Sequence, residues 1–217
     1  TYGDWSSDVC SSDLRYPDRA ATQLREALAG LIDQPAVRIS CGNGSNEVLQ
    51  ELFLAYGGAG RRALLFEPTY ALHAQIARTT GTGLVIEPRG AGFAIDLDRA
   101  VAAIERERPA LVVTCSPNNP TGTVDPPEVT RTLAEAAASV GAVLVVDEAY
   151  GEFAPWSALD LVTDERPVVV VRTYSKVWSL AGLRLGFAVA PEWLGAELAK
   201  VRLPYNLSVP TQVGGTV

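Results

Sequence analysis

Two cations and a carboxylate stand where this sequence can use them chemically. Val168, Val169, Val170 and Val171 form a β-branched apolar run that reads as a buried strand, and Lys176 follows just past its end. A lysine at such a place can be desolvated, give up its proton and attack a carbonyl carbon. Arg184 lies further on, inside Ala181-Gly182-Leu183-Arg184-Leu185-Gly186-Phe187. Its guanidinium can hold a phosphate by two parallel hydrogen bonds. Asp147 closes the apolar run Ala142–Val146. A carboxylate there either caps a turn or needs a cationic partner, because burying it alone is costly.

Further groups sit at other strand ends. Gly42-Asn43-Gly44-Ser45-Asn46-Glu47 lacks the third glycine of a dinucleotide fingerprint. Its free N–H groups can cradle one phosphate at a helix start; otherwise Ser45 or Asn46 merely caps that helix. Tyr70, in Glu67-Pro68-Thr69-Tyr70, either stacks on a planar group or fills the core. His73, the only histidine, comes one helical turn later and reads as a helix residue near the rim of the site, not a ligand. Ser116-Pro117-Asn118-Asn119-Pro120-Thr121-Gly122 is a rigid turn.

The elements that must position these residues alternate. Strands are predicted at Val37–Cys41, Ala63–Phe66, Leu84–Glu87, Leu111–Cys115, Ala142–Val146, Val168–Val171 and Leu185–Ala190. Helices are predicted from Arg19 to Leu31, after Asn46 to Tyr56, after Tyr70, from Asp98 to Arg108, from Glu128 to Ser139 and from Pro191 to Arg202. This pattern gives an α/β fold with a doubly wound, mostly parallel seven-stranded sheet. The link from the sixth to the seventh strand is too short for a crossover helix, so the seventh is expected to be the one antiparallel strand. Ligands of such folds bind at the rim of strand C-terminal ends, where the candidate residues fall.

Composition narrows the function. The chain has 217 residues, 47% of them hydrophobic and 20% charged, and a net charge of −7. That acidity excludes a nucleic-acid surface, which needs clustered Lys and Arg. No apolar run approaches the ~20 residues of a membrane span, so no membrane partner is expected. Cys10, Cys41 and Cys115 are odd in number and widely spaced, which reads as reduced thiols in a cytoplasmic protein without a metal site.

The strings Ser175-Lys176 with Ala-Gly-Leu-Arg-x-Gly, SPNNPTG, VVDEAYGEF and Pro-Thr-Tyr resemble those of the class I/II aminotransferases, among the fold-type I pyridoxal-phosphate (PLP) enzymes. Within that family they are most similar to the branch acting on histidinol phosphate. The resemblance runs from Arg15 to Val217 and implies PLP as cofactor, carried by Lys176 as a Schiff base. It implies that Asp147 pairs with the ring nitrogen and that Asn119 and Tyr150 hold the phenolic oxygen. Tyr70 then stacks on the ring, while Gly44, Ser45, Asn46, Thr173, Ser175 and Arg184 surround the phosphate. Tyr16 resembles a tyrosine that reaches the phosphate of the neighbouring subunit, which implies a homodimer.

The reaction implied is amino transfer from histidinol phosphate to 2-oxoglutarate. An aromatic aminotransferase or a threonine-phosphate decarboxylase of the same branch is the near alternative. A PLP-binding regulatory domain without turnover is the reading from another class, and its usual basic DNA-binding domain is not seen in these residues. Residues 1–14 are Ser/Asp-rich, match nothing in the family and read as an unrelated leader. Residues 15–203 are expected to form the PLP-binding large domain. Residues 204–217 are expected to begin a linker to a small C-terminal domain that is largely missing, so that the piece alone is expected to be inactive.

Overall fold

A computed structural model describes residues 16–216. The proposed leader, Arg15, Cys10 and Val217 lie outside the described residues. Seven strands form one sheet: β1 (Ile39–Asn43), β2 (Arg62–Glu67), β3 (Gly83–Pro88), β4 (Leu111–Cys115), β5 (Val143–Asp147), β6 (Val168–Thr173) and β7 (Leu185–Val189). Their order is β1-β7-β6-β5-β4-β2-β3. β7 runs antiparallel to both β1 and β6, and the remaining pairs are parallel. The antiparallel strand is the expected one.

β4, β5 and β7 are buried at every residue because helices cover both faces of the sheet. On one face Leu24 and Leu28 of α1 (Thr22–Ile32), Ile104 of α4 (Leu97–Glu107) and Leu133 of α5 (Pro127–Val140) pack on Val112, Leu144, Val146, Val170 and Phe187. On the other, Leu49, Leu52 and Phe53 of α2 (Ser45–Tyr56), Ile76 of α3 (Ala71–Thr79) and Leu194 of α6 (Glu192–Val201) pack on Leu65, Val113, Val145, Val169 and Ala188. Strand residues alternate between the two cores, as the period of two requires. Arg202 grips Glu51 through two bonds of 2.8 and 2.7 Å, tying α2 to the end of α6. Burial pushes the Glu51 carboxyl up, and the Arg202 guanidinium opposes that.

The boundaries move for local reasons. The first helix starts at Thr22, not Arg19, because the Asp18 carboxylate takes the Ala20 and Thr22 amides and closes a turn ahead of it. The first strand starts at Ile39, not Val37, because Ala36–Arg38 wind into a 3-10 turn. The segment after residue 203 carries an element that sequence reading did not foresee. A short helix α7 (Val209–Gly214) is capped by Ser208 and has proline in its first turn. Gln212 donates to the Asp18 carbonyl and Thr211 to the Leu183 carbonyl, so this segment docks on α1 and the loop before β7. Six residues are too few to show an apolar period; the serine cap and the proline were its only signals.

Because β1, β2, β4, β5 and β6 point the same way, their C-terminal ends share one rim. β7 runs the other way and contributes its N-terminal end to that rim.

Candidate active site

A cavity of about 220 Å³ opens on this rim. Ser45 and Asn46 reach it from the turn after β1, Tyr70 from the turn after β2 and Asn119 from the turn after β4. Asp147 and Tyr150 come from the end of β5, Thr173, Ser175 and Lys176 from the end of β6, and Arg184 from just before β7. Six chain segments thus bring ten of the expected residues to one place. Gly44 stands behind the wall as the residue preceding α2. Tyr16 is not part of the cavity: it is 78% exposed and stacks on Tyr205 with ring centroids 4.3 Å apart.

One side of the cavity is built around the start of α2. No side chain caps α2, so neither Ser45 nor Asn46 acts as the simple cap that was the alternative reading. Instead Glu47 reaches back, accepting from the Asn43 amide at 2.5 Å and from Asn206 Nδ2 at 2.7 Å. This fixes the turn and leaves the start of the helix, Ser45 and Asn46, at the cavity wall, where a helix dipole favours an anion. Arg184 Nη1 donates to Ser175 Oγ at 3.3 Å and to the Ala181 carbonyl at 3.1 Å. Thr173 Oγ1 donates to Ser175 Oγ at 3.1 Å, so hydroxyls and guanidinium meet on one side.

The opposite side holds the carboxylate. Asp147 is 1% exposed. One of its oxygens accepts from the Ala149 amide at 3.0 Å and the other from His73 Nε2 at 2.8 Å. His73 is therefore not at the rim, as the sequence suggested. It is fully buried under Asp147, on the apolar face of α3 beside Ala74, Ile76 and Ala77. That spacing was the available signal, since a titratable side chain on a buried stripe needs a polar partner. The ring of Tyr70 meets His73 edge-on at 5.6 Å. His73→Leu leaves one Asp147 oxygen buried without its donor. The expected cost is about 1–3 kcal/mol of stability, checked by denaturant unfolding of the cofactor-free protein against wild type.

Lys176 Nζ lies 5.4 Å from the centre of the Tyr150 ring. Two contacts outside the expected set position the site. Asn118 Nδ2 donates to the Pro68 carbonyl at 3.0 Å and to Thr121 Oγ1 at 2.8 Å, locking the Tyr70 turn to the Asn119 turn. Glu148 takes two bonds from Arg172 and one from the Ala158 amide, which fixes the end of β5 against β6. Cys115 also lines the cavity, and burial together with the Asp147 charge raises its thiol far above the usual range. Cys115 and Cys41 are both free and buried.

Fold and cavity together define an α/β enzyme domain in which a lysine, a buried carboxylate and an arginine line one cavity at the strand ends. Residues 7–215 match the family described as aminotransferase class I and II, and the chain belongs to it. A histidinol-phosphate aminotransferase of Thermobifida fusca is 47% identical over 203 residues, covering 91% of this chain and 54% of that protein. One of Streptomyces avermitilis is 47% identical over 204 residues, covering 90% and 55%. The crystal structure of histidinol-phosphate aminotransferase from Sinorhizobium meliloti in complex with pyridoxal-5'-phosphate matches with a TM-score of 0.87 at 26% identity, over 96% of this chain and 57% of that one. The chain spans about half the length of the relatives it matches.

Proposed function

We propose that the full-length protein is a PLP-dependent aminotransferase that moves the amino group of histidinol phosphate to 2-oxoglutarate and works as a homodimer. The observation that carries this reading is the single cavity shared by Lys176, Asp147 and the cup of Ser45, Asn46 and Arg184. The residues present fit PLP. A Cβ at Gly44 would lie 3.0 Å from Arg184 Cζ and closer still to one guanidinium nitrogen, and the residue's φ of 81° is in the left-handed region, so glycine lets the guanidinium close on the turn. Asp147 keeps lone pairs for a further donor beyond its two partners.

When bound, PLP supplies an electron sink for the bonding pair released at the substrate Cα. Asp147 would hold a proton on the ring nitrogen, and His73 and Ala149 hold Asp147. Asn119 and Tyr150 would donate to the phenolic oxygen, and Tyr70 would pack against the ring. The amides of Ser45 and Asn46, the hydroxyls of Thr173 and Ser175, and Arg184 would hold the phosphate. Lys176 Nζ would carry the cofactor and move the proton at the substrate Cα as general acid–base. Tyr16, on the exposed surface, is assigned to the phosphate of the partner subunit.

The substrate assignment rests on the names of relatives at 47% identity. Its test is a comparison of kcat/KM for histidinol phosphate, phenylalanine and threonine phosphate, each with 2-oxoglutarate. Histidinol phosphate is expected to lead by about tenfold or more, the size of discrimination that one or two polar contacts give. A preference for phenylalanine, or release of carbon dioxide from threonine phosphate, overturns the substrate assignment.

A further inference from the structure

Gly42 and Gly186 face each other across the antiparallel β1–β7 pair. Along β7 the side chains of Leu185, Phe187 and Val189 enter one core and Ala188 enters the other, which α2 covers. Position 186 therefore faces α2, at the point where that helix begins. A Cβ built on Gly186 would lie 2.8 Å from Ser45 Cα and closer still to the Ser45 nitrogen and the Gly44 carbonyl carbon. All three are backbone atoms, and none can rotate away. At Gly42 the obstacle is different: a Cβ there would lie 2.7 Å from Val48 Cγ2 and 3.3 Å from the Val48 amide.

We propose that Gly186, backed by Gly42, is a positioning residue for phosphate recognition. It forms a floor without side chains on which the Gly44–Asn46 turn rests, and so sets the height of the Ser45 amide in the cup. This rests on the reading of that turn and Arg184 as the phosphate site. The turn has no side-chain cap to hold it from above. Its height is set from below, by contact with the bare strand, and from the side, by Glu47 on the Asn43 amide. A methyl at position 186 forces the Ser45 amide off the strand by an amount comparable to the ~1 Å misplacement that costs about a hundredfold at a reacting centre. Lys176, Asp147 and Asn119 stand on other strand ends and keep their places. The loss is therefore confined to the phosphate and spares recognition of the ring.

The test compares affinity for PLP with affinity for pyridoxal, which has the ring and aldehyde but no phosphate. It uses the cofactor-free full-length protein. Wild type is expected to favour PLP strongly. Gly186→Ala is expected to lower that preference about tenfold or more, the scale of a lost charge-assisted hydrogen bond, while pyridoxal affinity stays unchanged. An equal loss for both ligands, or an unchanged preference, overturns the proposal. Arg184→Gln separates this from the reading beneath it. If Arg184→Gln keeps the wild-type preference, the cup itself is misassigned; if it loses the preference while Gly186→Ala keeps it, only the role of Gly186 fails. Should Gly186→Ala not fold, as judged by circular dichroism and gel filtration, Gly42→Ala replaces it. That variant is expected to lose the preference, and Val48→Ala added to it is expected to restore it by removing the methyl that a Cβ at 42 would strike. Failure of Gly42→Ala to shift the preference overturns the proposal as well.

Discussion

Lys176→Ala lowers amino transfer by at least ~10²–10⁴-fold, the share that a positioned general acid–base supplies, and abolishes covalent attachment of the cofactor. These 217 residues contain two lysines, so within them the assignment has one competitor. Lys200 is 66% exposed on α6 and pairs with Glu197 at 2.6 Å. Lys200 does not line the cavity. Lys176 lies at the cavity, over the Tyr150 ring and opposite Asp147. Borohydride reduction of the loaded protein followed by peptide mass analysis decides the matter. Wild type carries the adduct on the peptide with Lys176 and the variant carries none. An adduct on Lys200, or on the variant, sinks the assignment.

Much of this arrangement is legible in the sequence because burial on both faces makes a parallel strand apolar throughout. Leu111–Cys115 and the four valines from Val168 announce themselves without alternation. Once the strands are placed, topology alone gathers Asn46, Asn119, Asp147 and Lys176 at one rim, since each follows the end of a strand running the same way. The short Tyr174–Arg184 link dictates the antiparallel β7, and with it the position of Arg184 beside Ser175.

What stays hidden depends on contacts between distant residues. Nothing within several positions of His73 shows that Asp147 will lie against it, 74 residues later. Asn118 and Asn119 are the same residue type in one turn, yet one locks two turns together and the other faces the cavity. Gly186 looks like any glycine in a strand until α2 is seen to begin directly on it. Its φ is not in the left-handed region; space, not backbone conformation, requires it. Tyr16 shows the opposite limit, since a residue assigned to a partner subunit has its proposed contact outside its own chain.

Asp147→Asn is the substitution expected to separate chemistry from binding. The carboxylate is 1% exposed, and the strand behind it, Val143–Val146, is wholly apolar, so its charge acts in a medium that screens weakly. Its two oxygens take His73 Nε2 and the Ala149 amide, which hold it in place at the cavity. Asparagine keeps the shape: its Oδ1 can accept from the Ala149 amide, and its Nδ2 can donate to His73 Nε2 once that ring takes its other tautomer, but it brings no charge to hold a proton on the ring nitrogen. Removing one preorganised electrostatic partner from a dry site costs about 10²–10³-fold in turnover. The phosphate cup stands on β1, β6 and β7, away from the end of β5, so PLP affinity falls far less than turnover does. The measurement is single-turnover conversion of the amino donor alongside a PLP titration. Turnover near that of wild type removes Asp147 from the role. Equal losses in turnover and PLP affinity show that it holds the cofactor in place without tuning it.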